Sequence, residues 1–313
     1  MVHGEDFGLP IRAALHPTGL YLALRQIGAA ELQDAFMQET LVRIPASETV
    51  LHVNRDELGS AAPDTAPVGI IFHVARCGST LISQSLKHLD NLVVYAEPQP
   101  VNEILVPPHG WPRADLVAAL RTLGDAFARH AGRPYVLKLS SWNTLFCDII
   151  TEAFPETNWV LNLRDPVEVG VSLQRQPPGW LSGTTEASRR LIEIMAPEDG
   201  PESPEQRAAR AYGAFCKAAA GLDPRRGRLV DYEALPAAVW DMVAPHFSLP
   251  VDAGQQAGIA QAAHMHAKAR LGQRAEFVPD AAAKQAAASA ELRRAIDLFA
   301  RPQLERLVRL HGR

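Results

Sequence analysis

Residues 69–89, GIIFHVARCGSTLISQSLKHL, constrain this chain more than any other stretch: an apolar run ends in Arg-Cys-Gly-Ser-Thr, and apolar residues then return at helical spacing. Gly69 to Val74 is short and rich in Ile, Phe and Val, which suits a strand buried on both faces of a parallel sheet. Gly78 lacks a Cβ, so the backbone there can turn tightly or approach a ligand closely. Ser79 and Thr80 fit the start of a helix whose inward stripe is Leu81, Ile82, Ser85, Leu86 and Leu89. A strand, a glycine turn and a helix in this order bring loop N–H groups together at a helix N-terminus, where hydrogen bonding and the dipole both favour an anion. Arg76 adds a full positive charge.

Set against the nucleoside-triphosphate loop G-x-x-x-x-G-K-[ST], the first glycine falls on His73 and the lysine on Ser79. The basic residue instead precedes the glycine by two, as Arg-x-Gly-[ST]-[ST]-Leu. In this form the segment resembles the 5′-phosphosulfate loop of PAPS-dependent sulfotransferases (PAPS is 3′-phosphoadenosine 5′-phosphosulfate). The usual loop there reads Lys or Arg, Ser, Gly, Thr, Thr, then Trp or Leu. Cys77 stands in place of the usual Ser, which removes a hydroxyl and keeps the backbone cradle. The resemblance implies that Arg76, Cys77, Gly78, Ser79 and Thr80 bind the sulfate donor. The loop alone also admits a plain strand-to-helix turn with a solvated arginine, or a reactive Cys77 thiol beside Arg76 at a helix N-terminus.

A second match lies in residues 135–175, which read as strand, helix, strand and helix start. Tyr135 to Leu139 is strand-like. Trp142, Leu145, Phe146, Ile149, Ile150 and Ala153 recur at helical spacing until Pro155. Trp159 to Leu163 is another buried strand, and Asp165 followed by Pro166 reads as an N-cap with proline at the first helical position. Arg164 closes the strand and Ser172 lies eight residues later. This spacing resembles the family's 3′-phosphate motif, in which the arginine forks onto two phosphate oxygens and the hydroxyl supplies another donor. Read alone, the motif is equally a capped helix whose Arg164 pairs with Asp165 or Glu168.

Two residues are candidates for the chemistry. Leu92 to Tyr95 reads as a strand with Glu97 at its carboxyl end, the edge at which open α/β sheets bind ligands. The tyrosylprotein and heparan-sulfate branches of the family use a glutamate soon after the second strand as the acceptor's base, so the resemblance makes Glu97 the base, with Glu103 and His109 in reserve. Glu97 otherwise stabilises the turn before Pro98 or pairs with Arg76. Lys138, at its own strand end, is the second candidate and by resemblance contacts the transferring group or the acceptor; the alternative is a lysine that snorkels to solvent. A looser likeness in HMHAKARLGQRAEF assigns Lys268 and Arg270 to the 3′-phosphate; in the implied mechanism a ring such as Trp142 helps to hold the adenine.

The expected fold class is α/β, a three-layer parallel sheet flanked by helices of the P-loop nucleoside-kinase type. Residues 1–313 are expected to form one domain with an N-terminal extension (1–66), a cofactor-binding core (67–235) and a helical C-terminal part (236–313). The extension reads as a strand or two and a helix around Ala29 to Leu41, with a Pro/Ala linker at Ala61 to Pro67. Residues 176–207 read either as a lid or as a surface excursion. RLVDYEAL at 228–235 resembles a family segment whose Tyr and Glu are structural. The Ala-rich tail from Asp280 reads as two helices broken near Pro302, with Leu292, Ile296, Phe299, Leu304 and Leu307 as the packed stripe.

A net charge of −4 gives no global pull toward nucleic acid or anionic membrane, so an anion site must be local. The three cysteines, Cys77, Cys147 and Cys216, form neither a metal-ligand spacing nor an even disulfide set. Without a signal-like start, the expected compartment is the cytoplasm. The implied reaction is in-line, metal-free transfer of a sulfuryl group from PAPS to a hydroxyl or amine of a small-molecule or peptide acceptor, with no nucleic-acid or membrane partner. The competing readings are a P-loop kinase or nucleotide hydrolase, which needs Mg²⁺ and a loop lysine that is missing, and a non-catalytic protein that binds PAP, the adenosine 3′,5′-bisphosphate product.

Overall fold

A computed structural model describes residues 7–53, 66–106, 110–196, 202–263 and 280–312. The N-terminal part is an antiparallel meander of β1 (Leu9–His16), β2 (Gly19–Arg25) and β3 (Glu48–Val53), with helix α1 (Met37–Arg43) before the third strand. The helix expected around Ala29 to Leu41 is therefore shorter and starts later, preceded by a separate 3₁₀ turn at Ala29–Glu31. Side chains decide this. Glu39 accepts from the Phe36 N–H (3.2 Å), and the Asp34 carboxylate accepts from Thr40 (2.8 Å) and Arg43 (2.9 Å), so the helix is capped at 36.

The second sheet is wholly parallel: β4 (Gly69–His73), β5 (Val93–Ala96), β6 (Tyr135–Lys138), β7 (Trp159–Leu163) and β8 (Gly227–Asp231), in the order β5-β6-β4-β7-β8. Alternation along these strands sorts their apolar residues into two cores. Ile70, Phe72, Val93, Tyr95, Tyr135, Leu137, Trp159 and Leu161 join one cluster, while Ile71, Val94, Val136 and Val160 join the other. Both faces of a parallel sheet must be covered. The helices α2 (Ser79–Leu86), through Ile82 and Leu86, and Ala253–Ala263, through Ile259, cover the second face. Helices α3 (Gln99–Leu105), α4 (Arg113–Ala131), α5 (Cys147–Ala153), α6 (Pro166–Arg175), α7 (Glu186–Met195) and α8 (Pro204–Ala219) contribute to the first core. This is the expected three-layer α/β class. Among the described residues no helix is long and apolar enough to cross a membrane.

The tail differs from its expected form in where it breaks. Ser289 accepts from the Leu292 N–H (3.0 Å) and caps a new helix, so the interruption falls between Ala281–Ala287 and Ala290–Ala295. Pro302 sits inside Arg301–His311, directly after a widened π turn at Ile296–Ala300 that absorbs its missing N–H. Leu292, Ile296 and Leu307 are fully buried as expected of the stripe, while Phe299 and Leu304 are partly buried.

That widened turn lies directly on α8 at Gly213, where a Cβ would stand 2.2 Å from the Phe299 carbonyl oxygen. Backbone cannot yield as a side-chain tip can. Gly213→Ala is expected to destabilise the fold by about 1–3 kcal/mol, read from the chemical-denaturation midpoint; an unchanged midpoint contradicts the close packing.

Candidate anion and transfer site

β4 hands the chain on toward β5 at one edge of the sheet and β7 hands it on to β8 at the other, so the carboxyl ends of β4 and β7 flank a topological switch point. The loop after β4 enters α2 through three left-handed residues: Ala75 (φ 67°), Arg76 (φ 50°) and Gly78 (φ 83°). Such a backbone at a non-glycine residue costs about 1–3 kcal/mol and persists only where the surroundings impose it. A backbone that mixes left- and right-handed residues can turn successive N–H groups to one side as a concave nest for an anion; in this loop the Ala75 N–H is already taken by His73 Nδ1. Gly78 is required twice over, by its φ and because a Cβ would meet the Tyr232 ring at 2.8 Å.

Beside this loop, the ends of β5 and β6 carry an ion pair. Lys138, only 1% exposed, donates from Nζ to Glu97 Oε1 and lies 5.3 Å from the Phe36 ring centroid. Glu97, with 29% of its side chain exposed, is held in the left-handed region (φ 54°) immediately before Pro98, its N–H donating to the Lys138 carbonyl at 2.6 Å. The snorkelling alternative for Lys138 is overturned, because its charge is buried and neutralised in place. Glu97 pairs with Lys138, not with Arg76. His73 Nε2 stands 3.8 Å from the same carboxylate. Its Nδ1 accepts from the Ala75 N–H (3.3 Å), which leaves Nε2–H to donate to the Leu139 carbonyl (3.0 Å).

Across the switch point Arg164 is buried and multiply engaged. Its Nε donates to Glu168 (2.7 Å), its Nη2 to Asp280 (2.7 Å), and its Nη1 comes to 3.5 Å from the Arg76 carbonyl oxygen. The guanidinium stacks on Tyr232, 4.0 Å from Cζ to the ring centroid. Tyr212 fixes the backbone by donating to the Arg164 carbonyl at 2.9 Å. Asp165 caps α6 as expected, accepting from the N–H groups of Val167 and Glu168. Ser172 donates back to the Glu168 carbonyl (2.8 Å), and at the end of the same helix Gln176 accepts from Arg76 Nη2 through its backbone (2.9 Å) and side chain (3.1 Å). Burial weakens the hold of Arg76 on its proton while nearby Glu97 opposes this; an arginine stays charged regardless.

The structure thus brings Arg76, Cys77, Gly78, Ser79, Thr80, Glu97, Lys138 and Arg164 to one edge of the sheet. Several other expectations change. Glu103 is no reserve base: its carboxylate is taken by Arg12 and by the Ala13 N–H (2.7 Å), tying α3 to β1. Trp142 presents no open face for adenine, being 9% exposed and edge-on to Phe146 in the core. His109, Lys268 and Arg270 lie outside the described residues, as do 61–65 of the linker and 197–201 of the 176–207 segment, whose described remainder carries α7. Sequence reasoning missed Asp280 and Lys284, whose i, i+4 spacing in an Ala-rich tail reads as an ordinary surface pair, and it gave Tyr232 no part at the loop.

No protein-family model matches the chain, and no curated protein matches it. Twenty-three chains of solved structures are similar to it. They include the sulfotransferase domain from the curacin biosynthetic pathway (15% identity, TM-score 0.46), which covers 75% of this chain and 98% of that one. The sulfotransferase domain from the Synechococcus PCC 7002 olefin synthase is 14% identical at TM-score 0.47, covering 77% and 97%. A sulfotransferase from Alicyclobacillus acidocaldarius is 14% identical at TM-score 0.42, covering 79% and 96%.

The reactive-thiol reading of Cys77 fails on burial. The side chain has no solvent exposure, and desolvation pushes the thiol up to about 11, against the pull of loop backbone donors and Lys138. Cys147 is pushed up to about 12 and Cys216 higher still, both by burial. At pH 8 the native protein is therefore expected to show no fast thiol toward an aromatic disulfide reagent, with all three thiols appearing on denaturation. One fast native thiol would contradict this placement.

Proposed function

We propose that the protein transfers a sulfuryl group from PAPS to a hydroxyl or amine of an acceptor. The observation that carries the reading is the meeting of the left-handed loop at 75–78 with Arg164 across the switch point, the arginine's Nη1 lying 3.5 Å from the Arg76 carbonyl oxygen. The nest suits a 5′-phosphate, and an arginine one strand away suits a second phosphate on the same nucleotide. No lysine follows Gly78 to reach a β/γ-phosphate.

Bound PAPS would supply an activated sulfuryl group whose departure leaves negative charge on the 5′-phosphate side. The loop N–H groups, Arg76 and Lys138 stabilise that charge, as preorganised donors do in a water-poor site. Lys138 already neutralises Glu97, so charge developing beside it draws the ammonium away and frees the carboxylate. Glu97 then takes the proton of the acceptor oxygen or nitrogen as the new bond to sulfur forms. Arg164 recognises the 3′-phosphate that distinguishes PAPS from ATP, and Ser172 joins it by turning its hydroxyl away from the Glu168 carbonyl. Lys138, which takes both the N–H and the carboxylate of Glu97, holds this residue in place.

Calorimetry checks the binding half: PAP is expected to bind at least tenfold more tightly than AMP or ATP, and Arg164→Ala is expected to erase that preference. Equal affinities in the wild type would sink the reading. For the transfer half, Glu97→Gln is expected to lower kcat by about 10²–10⁴ with PAP affinity retained. Tight PAP binding without transfer to any hydroxylated or amine acceptor would point instead to a non-catalytic binding protein.

A further inference from the structure

The anion that Arg164 holds in this structure is the protein's own. Asp280 Oδ1 accepts from Arg164 Nη2 at 2.7 Å, and Asp280 Oδ2 accepts from Lys284 Nζ at 2.7 Å. Exposure is divided unequally among the three. The side chains of Arg164 and Lys284 are 6% and 9% exposed, whereas that of Asp280 is 45% exposed. The cations are thus fixed in the protein, and the anion bridging them is the member that faces solvent.

We infer that Arg164 and Lys284 form a two-cation subsite for a phosphate monoester, and that Asp280 closes it as a built-in anion until a ligand displaces it. In its assignment to the 3′-phosphate, this inference rests on the function proposed above. Burying two cations is unfavourable unless an anion accompanies them, and Glu168 satisfies only Nε of Arg164. A phosphate dianion carries twice the charge of Asp280 and offers three acceptor oxygens to the same donors. Burial pushes the Asp280 carboxyl up, but its hydrogen bonds to Lys284 and Arg164 outweigh this and hold it below the usual range, so at neutral pH it is an ionised competitor.

Other contacts keep the cations in place when Asp280 leaves. Gln285, next to Lys284, donates to Asp165 at 2.8 Å, and the Gln285 carbonyl accepts from Arg293 at 2.5 Å. These bonds anchor Ala281–Ala287 to α6 and to the following helix without Asp280. Tyr232 and Glu168 anchor Arg164 in the same way. An internal competitor lowers apparent affinity by the fraction of molecules in which the site is open. Removing it should therefore raise affinity.

The test uses inorganic phosphate and thermal melting on wild type, Asp280→Asn and Asp280→Asn/Lys284→Met. In phosphate-free buffer Asp280→Asn is expected to melt below wild type, and phosphate is expected to restore it at about tenfold lower concentration than any effect on wild type. The double variant is expected to lose that response. Equal responses in wild type and Asp280→Asn, or a response that survives loss of Lys284, overturns the subsite. Calorimetry then separates the two readings: Asp280→Asn should bind PAP about tenfold more tightly with AMP unchanged. A PAP preference in wild type that neither Asp280→Asn nor Lys284→Met alters overturns the subsite and leaves the function standing. A Lys284-dependent phosphate response in a protein that binds no PAP does the reverse. Should Asp280→Asn fail to fold, Lys284→Met alone, which keeps the Arg164–Asp280 pair, is expected to weaken PAP about tenfold, and unchanged affinity overturns the subsite.

Discussion

One guanidinium joins the parts of this molecule that chemistry would need together. Arg164 leaves the end of β7, stacks on Tyr232 after β8, pairs with Glu168 on α6 and with Asp280 ahead of the C-terminal helices, and reaches the backbone of the loop after β4. Burying a guanidinium to 6% exposure is costly unless partners of this kind accompany it. Each partner is thereby drawn to the switch point of the sheet. Tyr232 in turn packs on Gly78, so the ring that carries Arg164 also forms the outer wall of the loop.

The loop itself is held in a conformation that its residues do not favour. Ala75 and Arg76 are both left-handed, and on the neighbouring strands Glu97 is left-handed as well. Strain at three non-glycine residues within one site is maintained by identifiable bonds: the Ala75 N–H on His73, the Arg76 side chain on Gln176, and the Glu97 N–H and carboxylate on Lys138. These bonds join β4 to the end of α6 and β5 to β6. Loop geometry and sheet register are therefore one constraint, and a register slip at β6 would displace Lys138 and the Glu97 turn together.

Much of this was legible in the sequence because the signals are local. The apolar runs at 69–74 and 159–163, Gly78, and the Asp165-Pro166 cap each specify a conformation from neighbouring residues, and the strand-helix-strand pattern follows from them. The role of Arg164 was legible only in part, since its Glu168 partner is four residues away but Asp280 is 116 positions on. No periodicity connects those two. The fates of Trp142 and Glu103 were hidden for the same reason: one is edge-on to Phe146 in the core and the other is claimed by Arg12, from a strand whose place against α3 no local pattern reveals. The late break in the tail was misplaced because proline was read as a stop, while a widened turn can carry the helix past it.

The central claim is that the nest at 75–78 and Arg164 hold the two phosphates of one nucleotide. A crystal structure of the protein grown with PAP tests it most directly. The 5′-phosphate is expected on the loop N–H groups at the start of α2 and the 3′-phosphate within hydrogen-bond distance of Arg164. A nucleotide bound elsewhere, or one whose 3′-phosphate faces away from Arg164 into solvent, would contradict it.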